Sequence, residues 1–372
     1  MRHQTQRVVR QRIRRFASRA LVVGTLAIVP TGGVGGLPLA TAFAAGSAPV
    51  AVAGYQIATF AQGTAAYTNP DAIVADGGFI YVAYQNDSKA DGSNGKASTI
   101  IQYGLDGTVV TTFRVTGHCD GLRVDPSTHL LWATVNEDAS AVLYTIDPKS
   151  GAITPYTFSS AAHGGGYDDM AFVDGMAFVA ASNPALNSDG VSTGPAVVKV
   201  TLSNGVATVT PVLMGNATAY DTTTNKMVTL NLVDPDSMTV NPQGDVVLVD
   251  QAGSDIVFLH NAGTPQQVVT HVPAGTQLED TVWSNADKGR LFVVDAATNT
   301  ISTISGDIPA GTVYSEAPND SGVGTWVGTI DLSSGNITPI AIGFGKPTGL
   351  LYVPDSGAAL STPAATAANS SP

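Results

Sequence analysis

The sequence predicts an all-β fold, a six-bladed β-propeller with four-stranded blades. Short apolar strand phrases recur after residue 65 with a period of about 50 residues, and glycine-bearing turns separate many of them. No segment after residue 44 has the sustained 3.6-residue periodicity of a helix. Four strands per repeat form one small sheet, which buries both faces only when neighbouring sheets stack on it in a ring.

The strands of each repeat are predicted from phrases that keep a constant order. The six first strands are predicted at 71–74, 120–123, 169–172, 236–239, 280–283 and 348–351. The second strands are predicted at 80–83, 131–134, 177–180, 246–249, 291–294 and 313–315. The third strands are predicted at 100–103, 142–145, 197–200, 256–259, 301–304 and 327–330, and they end in turns that contain Gly107, Gly151, Gly205, Gly263, Gly306 and Gly335.

The order of the phrases changes near the C-terminus. Residues 313–342 have the pattern of second, third and fourth strands without a first strand before them, whereas 347–353 has the pattern of a first strand. Residues 55–60 form a spare strand near the start of the domain. We therefore expect the terminal segments to complete one shared sheet that closes the ring without a free edge. A seven-bladed ring is the alternative.

The N-terminal segment has the pattern of a secretory signal peptide. Residues 1–44 hold seven arginines and no acidic residue, an apolar run at 20–30, and an A-x-A site that ends at Ala44. The alternative is a transmembrane anchor, but the apolar run is about half of the ~20 residues that a span requires. We expect export to the periplasm or medium, no membrane span after removal of the signal, a propeller at 45–353 and a disordered Ala/Ser/Thr/Pro tail at 354–372.

The charge balance excludes some partners. The chain has 17 basic and 29 acidic residues, and removal of residues 1–44 leaves ten basic residues and a formal net charge of −19. An acidic chain of this kind is a poor partner for a phosphate backbone, so we expect no nucleic-acid binding.

Cys119 is the only cysteine, which excludes an intrachain disulfide and favours a small buried side chain over a nucleophile.

The repeat at 235–263 has a proline, a small residue, an apolar strand, a glycine turn and a second apolar strand. In this pattern the chain resembles the NHL-repeat propellers and the six-bladed superfamily that includes the gluconolactonase group and the secreted streptogramin lyases. The resemblance covers about residues 55–353. In the gluconolactonase group, a Glu, two Asn/Asp positions and another Asp bind a divalent cation on the axis. The phrase that carries that Glu has no match here, so the resemblance transfers no catalytic residue.

An acidic column is the main functional signal. Five of the six first strands begin with Asp, and in a propeller the first strands line the axis, so these carboxylates should meet at one mouth of the channel. We expect a ligand site there, formed by Asp71, Asp120, Asp169, Asp236 and Asp280 with His118, Tyr167, Asp168 and Glu279. The expected metal ligands are Asp120, Asp169, Asp236 and Asp280, because Ca²⁺ or another hard divalent cation suits carboxylate oxygens. The alternative is that each Asp caps a local turn.

These observations leave several functions open. The first is a secreted propeller that binds a small ligand, a divalent cation or a protein partner at the acidic mouth. The alternative is a metal-dependent hydrolase, lactonase or lyase, and the sequence does not decide whether the protein is an enzyme. A third is a scaffold module held through its tail. Two insertions, at 183–195 and 214–232, enlarge the third repeat and are further candidate binding segments.

Overall fold

The computed structural model describes residues 48–319 and 324–355. These residues form β-strands and turns without a helix, so the all-β prediction is confirmed for them. The strands are β1 (Val50–Ala51), β2 (Tyr55–Gln62), β3 (Pro70–Asp76), β4 (Phe79–Tyr84), β5 (Ala97–Gly104), β6 (Val109–Thr116), β7 (Cys119–Val124), β8 (Leu131–Val135), β9 (Val142–Ile146), β10 (Ile153–Phe158), β11 (Met170–Val173), β12 (Met176–Ala180), β13 (Pro195–Ser203), β14 (Val206–Met214), β15 (Thr218–Asp221), β16 (Lys226–Thr229), β17 (Pro235–Val240), β18 (Val246–Asp250), β19 (Asp255–His260), β20 (Val268–Pro273), β21 (Thr281–Trp283), β22 (Gly289–Asp295), β23 (Thr300–Gly306), β24 (Val313–Ala317), β25 (Trp326–Asp331), β26 (Asn336–Ile342) and β27 (Pro347–Pro354).

The strands pair into five hydrogen-bonded sheets. Their strand orders are β3-β4-β5-β6, β11-β12-β13-β14-β10-β9-β8-β7, β16-β15-β20-β19-β18-β17, β1-β26-β25-β24-β21 and β2-β23-β22-β27. The eight-stranded sheet contains two antiparallel units that are joined where β10 runs parallel to β14, at Thr157 opposite Val206. The hairpin β15–β16 lies within the insertion at 214–232 and extends its sheet through a parallel pairing with β20.

The sheets stand around a common axis. Strands β3, β7, β11, β17, β21 and β27 each lie at an edge of their sheets. Each contacts the next in this order, and β27 contacts β3, so the six edge strands form a closed cycle. This is the arrangement of the inner strands in a β-propeller. Residues at the starts of these six strands line one cavity, so the strands begin at the same end of the axis.

The strand exchange near the C-terminus differs from the sequence prediction. After β21 the chain enters the neighbouring sheet, where β22 pairs with β27 and β23 pairs with β2. It then returns, and β24 pairs with β21. The phrases at 291–294 and 301–304 thus follow the first strand at 280–283 in the sequence but pair in the neighbouring sheet, because a strand phrase carries no mark of its hydrogen-bond partner. The expectation that terminal segments share one sheet is confirmed, since β2 and β27 do so.

Packing between neighbouring sheets forms the core. The middle strands are buried on both faces, whereas an outer strand such as β6 alternates between exposed and buried residues. Ile100 on β5 and Leu131 on β8 are fully buried in one apolar cluster that joins two sheets. Burial of a side chain of this size contributes about 1.5–3 kcal/mol each, so the stacked faces hold the ring together.

The glycine turns have the conformation that the sequence predicts. Gly107 and Gly335 have φ angles of 83° and 72°, in the left-handed region that favours glycine. Each also lies against a neighbouring sheet, because a Cβ at these positions would lie 2.3 Å from the Phe60 oxygen and 2.1 Å from the Pro273 oxygen. A side chain at either turn would therefore separate two sheets.

Cys119 is fully buried and free, in agreement with a structural role. No membrane-spanning helix occurs among the described residues. The predicted signal peptide and nearly all of the predicted tail lie outside these residues.

Candidate functional site

The acidic side chains of the first strands lie around one small cavity at the end of the axis where these strands begin. The cavity has a volume of about 20 Å³, which is room for one water molecule or one ion. Its lining comprises Asp71, Ala72, Asp120, Arg123, Asp168, Asp169, Asp236, Ser237, Glu279, Asp280 and Thr348. We call this end of the axis the acidic mouth. The structure thus brings together all five first-strand aspartates, with Asp168 and Glu279.

A guanidinium group lies among these carboxylates. Arg123 Nη2 donates to Asp169 and, at 3.1 Å, to Asp280, and it also contacts the Met238 carbonyl oxygen at 2.9 Å. The side chain of Arg123 is only 16% exposed, so the ion pairs are shielded from solvent. The chain therefore supplies a cation of its own to two of the carboxylates that were predicted to bind a metal.

Asp169 and Asp280 also connect neighbouring sheets. Asp169 accepts a hydrogen bond from the Met238 backbone N–H at 3.0 Å, and Asp280 accepts one from the Leu350 N–H at 2.9 Å. Each donor lies on the next inner strand of the cycle, on β17 and β27. The alternative interpretation of these aspartates as backbone acceptors therefore applies to both, but the backbone belongs to the adjacent sheet rather than to a local turn.

Asp71 and Asp120 form a second pair on the other side of the mouth. The Gln85 amide donates to a carboxylate oxygen of each, at 2.8 Å in both cases. Burial and the negative charge of Asp120 raise the pKa of Asp71 well above its usual value. Burial also raises the pKa of Asp120, but hydrogen bonding from Asp71 and the proximity of His118 bring it below its usual value. Asp71 is therefore the weaker acid of this pair, and Asp120 is the stronger acid.

A cluster with metal-ligand spacing lies next to this pair. His118, Asp120 and Glu137 each offer one ligand atom, and the three atoms lie within 4.8 Å of one another. His118 precedes β7, Asp120 lies on β7, and Glu137 follows the end of β8, which runs antiparallel to β7. The hairpin geometry brings the end of the second strand beside the start of the first, and this places all three side chains at the mouth.

Hydrogen bonding determines which imidazole nitrogen of His118 faces the carboxylates. Nδ1 lies 2.7 Å from the Ser88 carbonyl oxygen, which can only accept, so Nδ1 carries the proton. In the neutral ring Nε2 then has a free lone pair, and it lies 3.8 Å from Asp120 Oδ2. A backbone carbonyl on the far nitrogen is the arrangement that orients metal-binding histidines in proteins.

Several other carboxyl groups at the mouth hold their protons more tightly than usual. Burial, followed by repulsion from neighbouring carboxylates, raises the pKa values of Glu137, Asp168 and Asp236 well above their usual range. Burial also raises the pKa of Asp169 to about 7, despite the attraction of Arg123. Asp169 Oδ1 is buried without a hydrogen-bond partner among residues 48–319 and 324–355. The mouth therefore combines carboxyl groups of raised pKa with a guanidinium group and an imidazole within a small volume.

The remaining predicted residues occupy different positions. Tyr167 does not line the cavity but stacks on Phe158 with ring centroids 4.1 Å apart in the apolar core. Glu279 lines the mouth and accepts a hydrogen bond from the Gln251 amide. Among the predicted metal ligands, Asp120 belongs to the cluster with metal-ligand spacing, whereas Asp169 and Asp280 bind Arg123. That the residues predicted from the sequence bind a ligand or a metal stays a prediction.

Sequence reasoning missed Arg123, Glu137 and Gln85 as residues of the site. The sequence could have indicated Arg123, because it is the only basic residue in the six first-strand phrases. The sequence could also have indicated Glu137 and Gln85, because both follow second-strand phrases. The second strand of an antiparallel hairpin ends where the first begins, so both residues lie near the acidic mouth.

Comparison with known proteins gives distant structural similarities. No protein-family model matches the chain, and no curated protein matches its sequence. The chain is similar to a streptogramin B lyase structure with 13% identity and a TM-score of 0.42, over 79% of this chain and 74% of that one. It is similar to a putative 6-phosphogluconolactonase from Bacteroides uniformis with 12% identity and a TM-score of 0.45, over 78% and 90% of the two chains. A putative gluconolactonase has 12% identity and a TM-score of 0.41, over 80% and 85%. These similarities assign no activity to this chain.

Proposed function

We propose that the protein binds one divalent cation at the acidic mouth through His118, Asp120 and Glu137. The position of His118 carries the proposal, because its Nδ1 donates to the Ser88 carbonyl oxygen and its Nε2, which has a lone pair in the neutral ring, lies 3.8 Å from Asp120 Oδ2. A cation between these atoms would satisfy both. The buried Asp169 Oδ1, which has no hydrogen-bond partner in the described part of the chain, is a second polar atom at the same mouth.

The donor set indicates the kind of metal. Ca²⁺ prefers six to eight oxygen ligands, whereas one imidazole with two carboxylates suits Mn²⁺ or Zn²⁺. We therefore propose a cation that accepts mixed nitrogen and oxygen ligands, in place of the calcium that the carboxylate pattern alone favours. Of the three proposed ligands, Asp120 lines the cavity of about 20 Å³, which has room for one water molecule or one ion, so an organic ligand would lie above the mouth.

Metal titration of the purified protein tests this function. After treatment with EDTA, Mn²⁺ or Zn²⁺ at a hundredfold excess over Kd should stabilise the fold by about 2.7 kcal/mol, and Ca²⁺ should stabilise it less. His118→Gln and Glu137→Gln should each abolish this stabilisation. His129→Gln is the matched control, because His129 forms a comparable contact of 3.0 Å with Asp76 away from the mouth. A midpoint that no metal moves would exclude the proposal.

A metal-dependent hydrolase, lactonase or lyase is the second candidate function. The observation that favours it is the raised pKa of carboxyl groups at the same mouth, notably Asp168 and Asp236. A raised pKa allows a carboxyl group to donate a proton to a leaving group near neutral pH, while a cation polarises the bond that breaks. Turnover of lactones and cyclic esters that requires Mn²⁺ and is lost in Asp168→Asn and Asp236→Asn would support an enzyme. Cation binding without turnover would support a binding protein.

Two further proposals concern architecture and export. We propose six blades of four strands, supported by the closed cycle of six inner strands, with β1 and β15–β16 as additions to the blades. We also propose that the mature protein is exported and begins near Ala45, which N-terminal sequencing of culture medium or periplasm would test. Recovery of the full-length chain from the cytoplasm alone would contradict export.

A further inference from the structure

A second cavity lies at the opposite end of the axis. Its volume is about 200 Å³, and all six inner strands contribute to its lining. The lining residues come two to four positions after the first-strand acids in most strands, which places them farther along the same strands. One residue from each strand defines what we call the lower pocket: Ala75, Val124, Phe172, Val240, Trp283 and Leu351.

The lower pocket is apolar and open to solvent. Ala75, Phe172, Val240 and Trp283 are half-buried, and the exposed Pro242 forms part of the lining. An apolar molecule that covers these side chains removes their surface from water, which favours binding. A dry cavity of about 150 Å³ is large enough for benzene, so this pocket has room for a single-ring molecule.

Among the described residues of the lining, Arg123 has the only charged side chain, and its two terminal nitrogens have different surroundings. Nη2 contacts Asp169 and Asp280, toward the acidic mouth. Nη1 has only long contacts, of 3.5 Å to the Ile73 oxygen and 3.4 Å to the Leu122 oxygen. The usual N–H···O distance is about 2.9–3.0 Å, so Nη1 retains the capacity to donate a good hydrogen bond. Arg123 and Ile73 both line the lower pocket, so this donor belongs to a residue of the lining.

Charge decides which acceptor suits this donor. The two carboxylates that contact Nη2 already oppose the positive charge of Arg123, and further carboxylates lie behind them at the acidic mouth. An anion in the lower pocket would face this excess of negative charge, whereas a neutral carbonyl oxygen would not. We propose that the lower pocket binds an uncharged aromatic or alicyclic molecule whose single carbonyl oxygen accepts a hydrogen bond from Arg123 Nη1.

Calorimetric titration with three small probes tests this inference. Acetophenone supplies a ring and a carbonyl oxygen, ethylbenzene lacks the acceptor, and benzoate carries a negative charge. The buffer contains EDTA, so that the acidic mouth holds no metal. Acetophenone should bind at least about tenfold more tightly than ethylbenzene, because a hydrogen bond to a charged donor favours binding by at least this factor. It should also bind at least about tenfold more tightly than benzoate, whose charge the carboxylates near Arg123 repel. Absence of acetophenone binding, or equal binding of ethylbenzene or benzoate, would overturn the proposal.

Variants that fill the pocket locate the binding site. Ala75→Phe and Val240→Phe should each weaken acetophenone binding at least about tenfold, whereas Ala58→Phe, on the exposed outer strand β2, should leave it unchanged. Thermal unfolding establishes whether each variant is folded. If Ala75→Phe does not fold, Val240→Phe provides the test. Unchanged affinity in a folded filling variant would overturn the proposal. So would a dimer that Ala75→Phe dissociates in the absence of acetophenone binding, because this face would then bind a second copy of the chain.

Discussion

Arg123 Nη2 lies 3.1 Å from a carboxylate oxygen of Asp280, although 157 positions separate the two residues in the sequence. The contact crosses the axis of the ring and joins β7 to the start of β21. The same nitrogen binds Asp169, so one guanidinium connects three of the inner strands. Arg123 also divides the axis, with carboxylates on one side and the lower pocket on the other.

Removal of this guanidinium should strongly destabilise the fold. Arg123→Met leaves Asp169 and Asp280 buried without a counter-ion, and loss of one partner from a buried ion pair costs about 3–5 kcal/mol. Urea unfolding at pH 7 measures the change in the free energy of unfolding. Arg114→Met, at an exposed position on the outer strand β6, is the matched control and should change it by less than about 0.5 kcal/mol. Equal effects of the two substitutions would contradict a structural role for Arg123.

Substitution of Gly121, on the inner strand β7, should also destabilise the fold. A Cβ on Gly121 would lie 2.3 Å from Thr134 Oγ1 and 2.7 Å from the Asp168 oxygen, so Gly121→Ala must move the backbone beside the acidic mouth. We expect a loss of about 1–3 kcal/mol, with weaker binding of Mn²⁺. Gly324→Ala is the matched control, because a Cβ there meets nothing within 4 Å. A stable Gly121→Ala protein with unchanged metal affinity would contradict this geometry.

The stability of the metal-free protein should fall as the pH rises. Asp250 is buried, and burial raises its pKa to about 7, against about 3.9 in an unfolded chain. Between these values the folded state binds more protons than the unfolded state, so stability is greatest below pH 4 for this group and is lost as the pH passes 7. The contribution of Asp250 is on the order of 4 kcal/mol.

Urea unfolding in EDTA at pH 5, 6, 7 and 8 measures this slope. Asp250→Asn remains neutral throughout, so the difference between pH 5 and pH 8 should be smaller in this variant than in the parent protein. Its backbone partner Asp234 N–H, at 2.6 Å, still has an amide oxygen as acceptor. A parent protein whose free energy of unfolding increases from pH 5 to pH 8 would contradict the raised pKa.

The sequence predicts the strands better than it predicts their partners. Strand phrases such as 291–294 are recognisable because alternating β-branched and apolar residues suit a buried strand, but hydrogen bonds to β27 form between backbones and leave no signature. The aspartates of the acidic mouth were predictable for a related reason: one residue per repeat, at one position of the inner strand, must recur around the axis.

The chemistry of the mouth was less predictable, because it depends on residues that do not repeat. Arg123 occurs in one first strand, and its pairing with Asp280 requires two sheets to meet across the ring. Glu137 becomes a candidate ligand only when the end of β8 lies beside His118 and Asp120. Comparison of the repeats identifies residues that recur in most of them, whereas the proposed metal site depends on residues of a single hairpin.

Metal binding at the acidic mouth should release protons. Burial and nearby carboxylates raise the pKa values of Asp71 and Glu137, so both hold a proton more tightly in the metal-free protein than an exposed carboxyl group does. Ligand atoms must be deprotonated to bind a cation, and bound charge lowers the pKa of carboxyl groups beside it. Affinity for Mn²⁺ should therefore rise between pH 6 and pH 8, by up to about tenfold per pH unit for each proton released.

Calorimetry in two buffers with different ionisation enthalpies counts the protons directly. The observed binding enthalpy should differ between the buffers in proportion to the number of protons that Mn²⁺ displaces. Asp71→Asn, which keeps the shape of the side chain beside Asp120 but has no proton to lose, should retain Mn²⁺ binding and reduce that number. His129→Gln, outside the mouth, should leave the number unchanged. Identical enthalpies in the two buffers, with the same affinity at pH 6 and pH 8, would mean that the cation does not bind among these carboxyl groups.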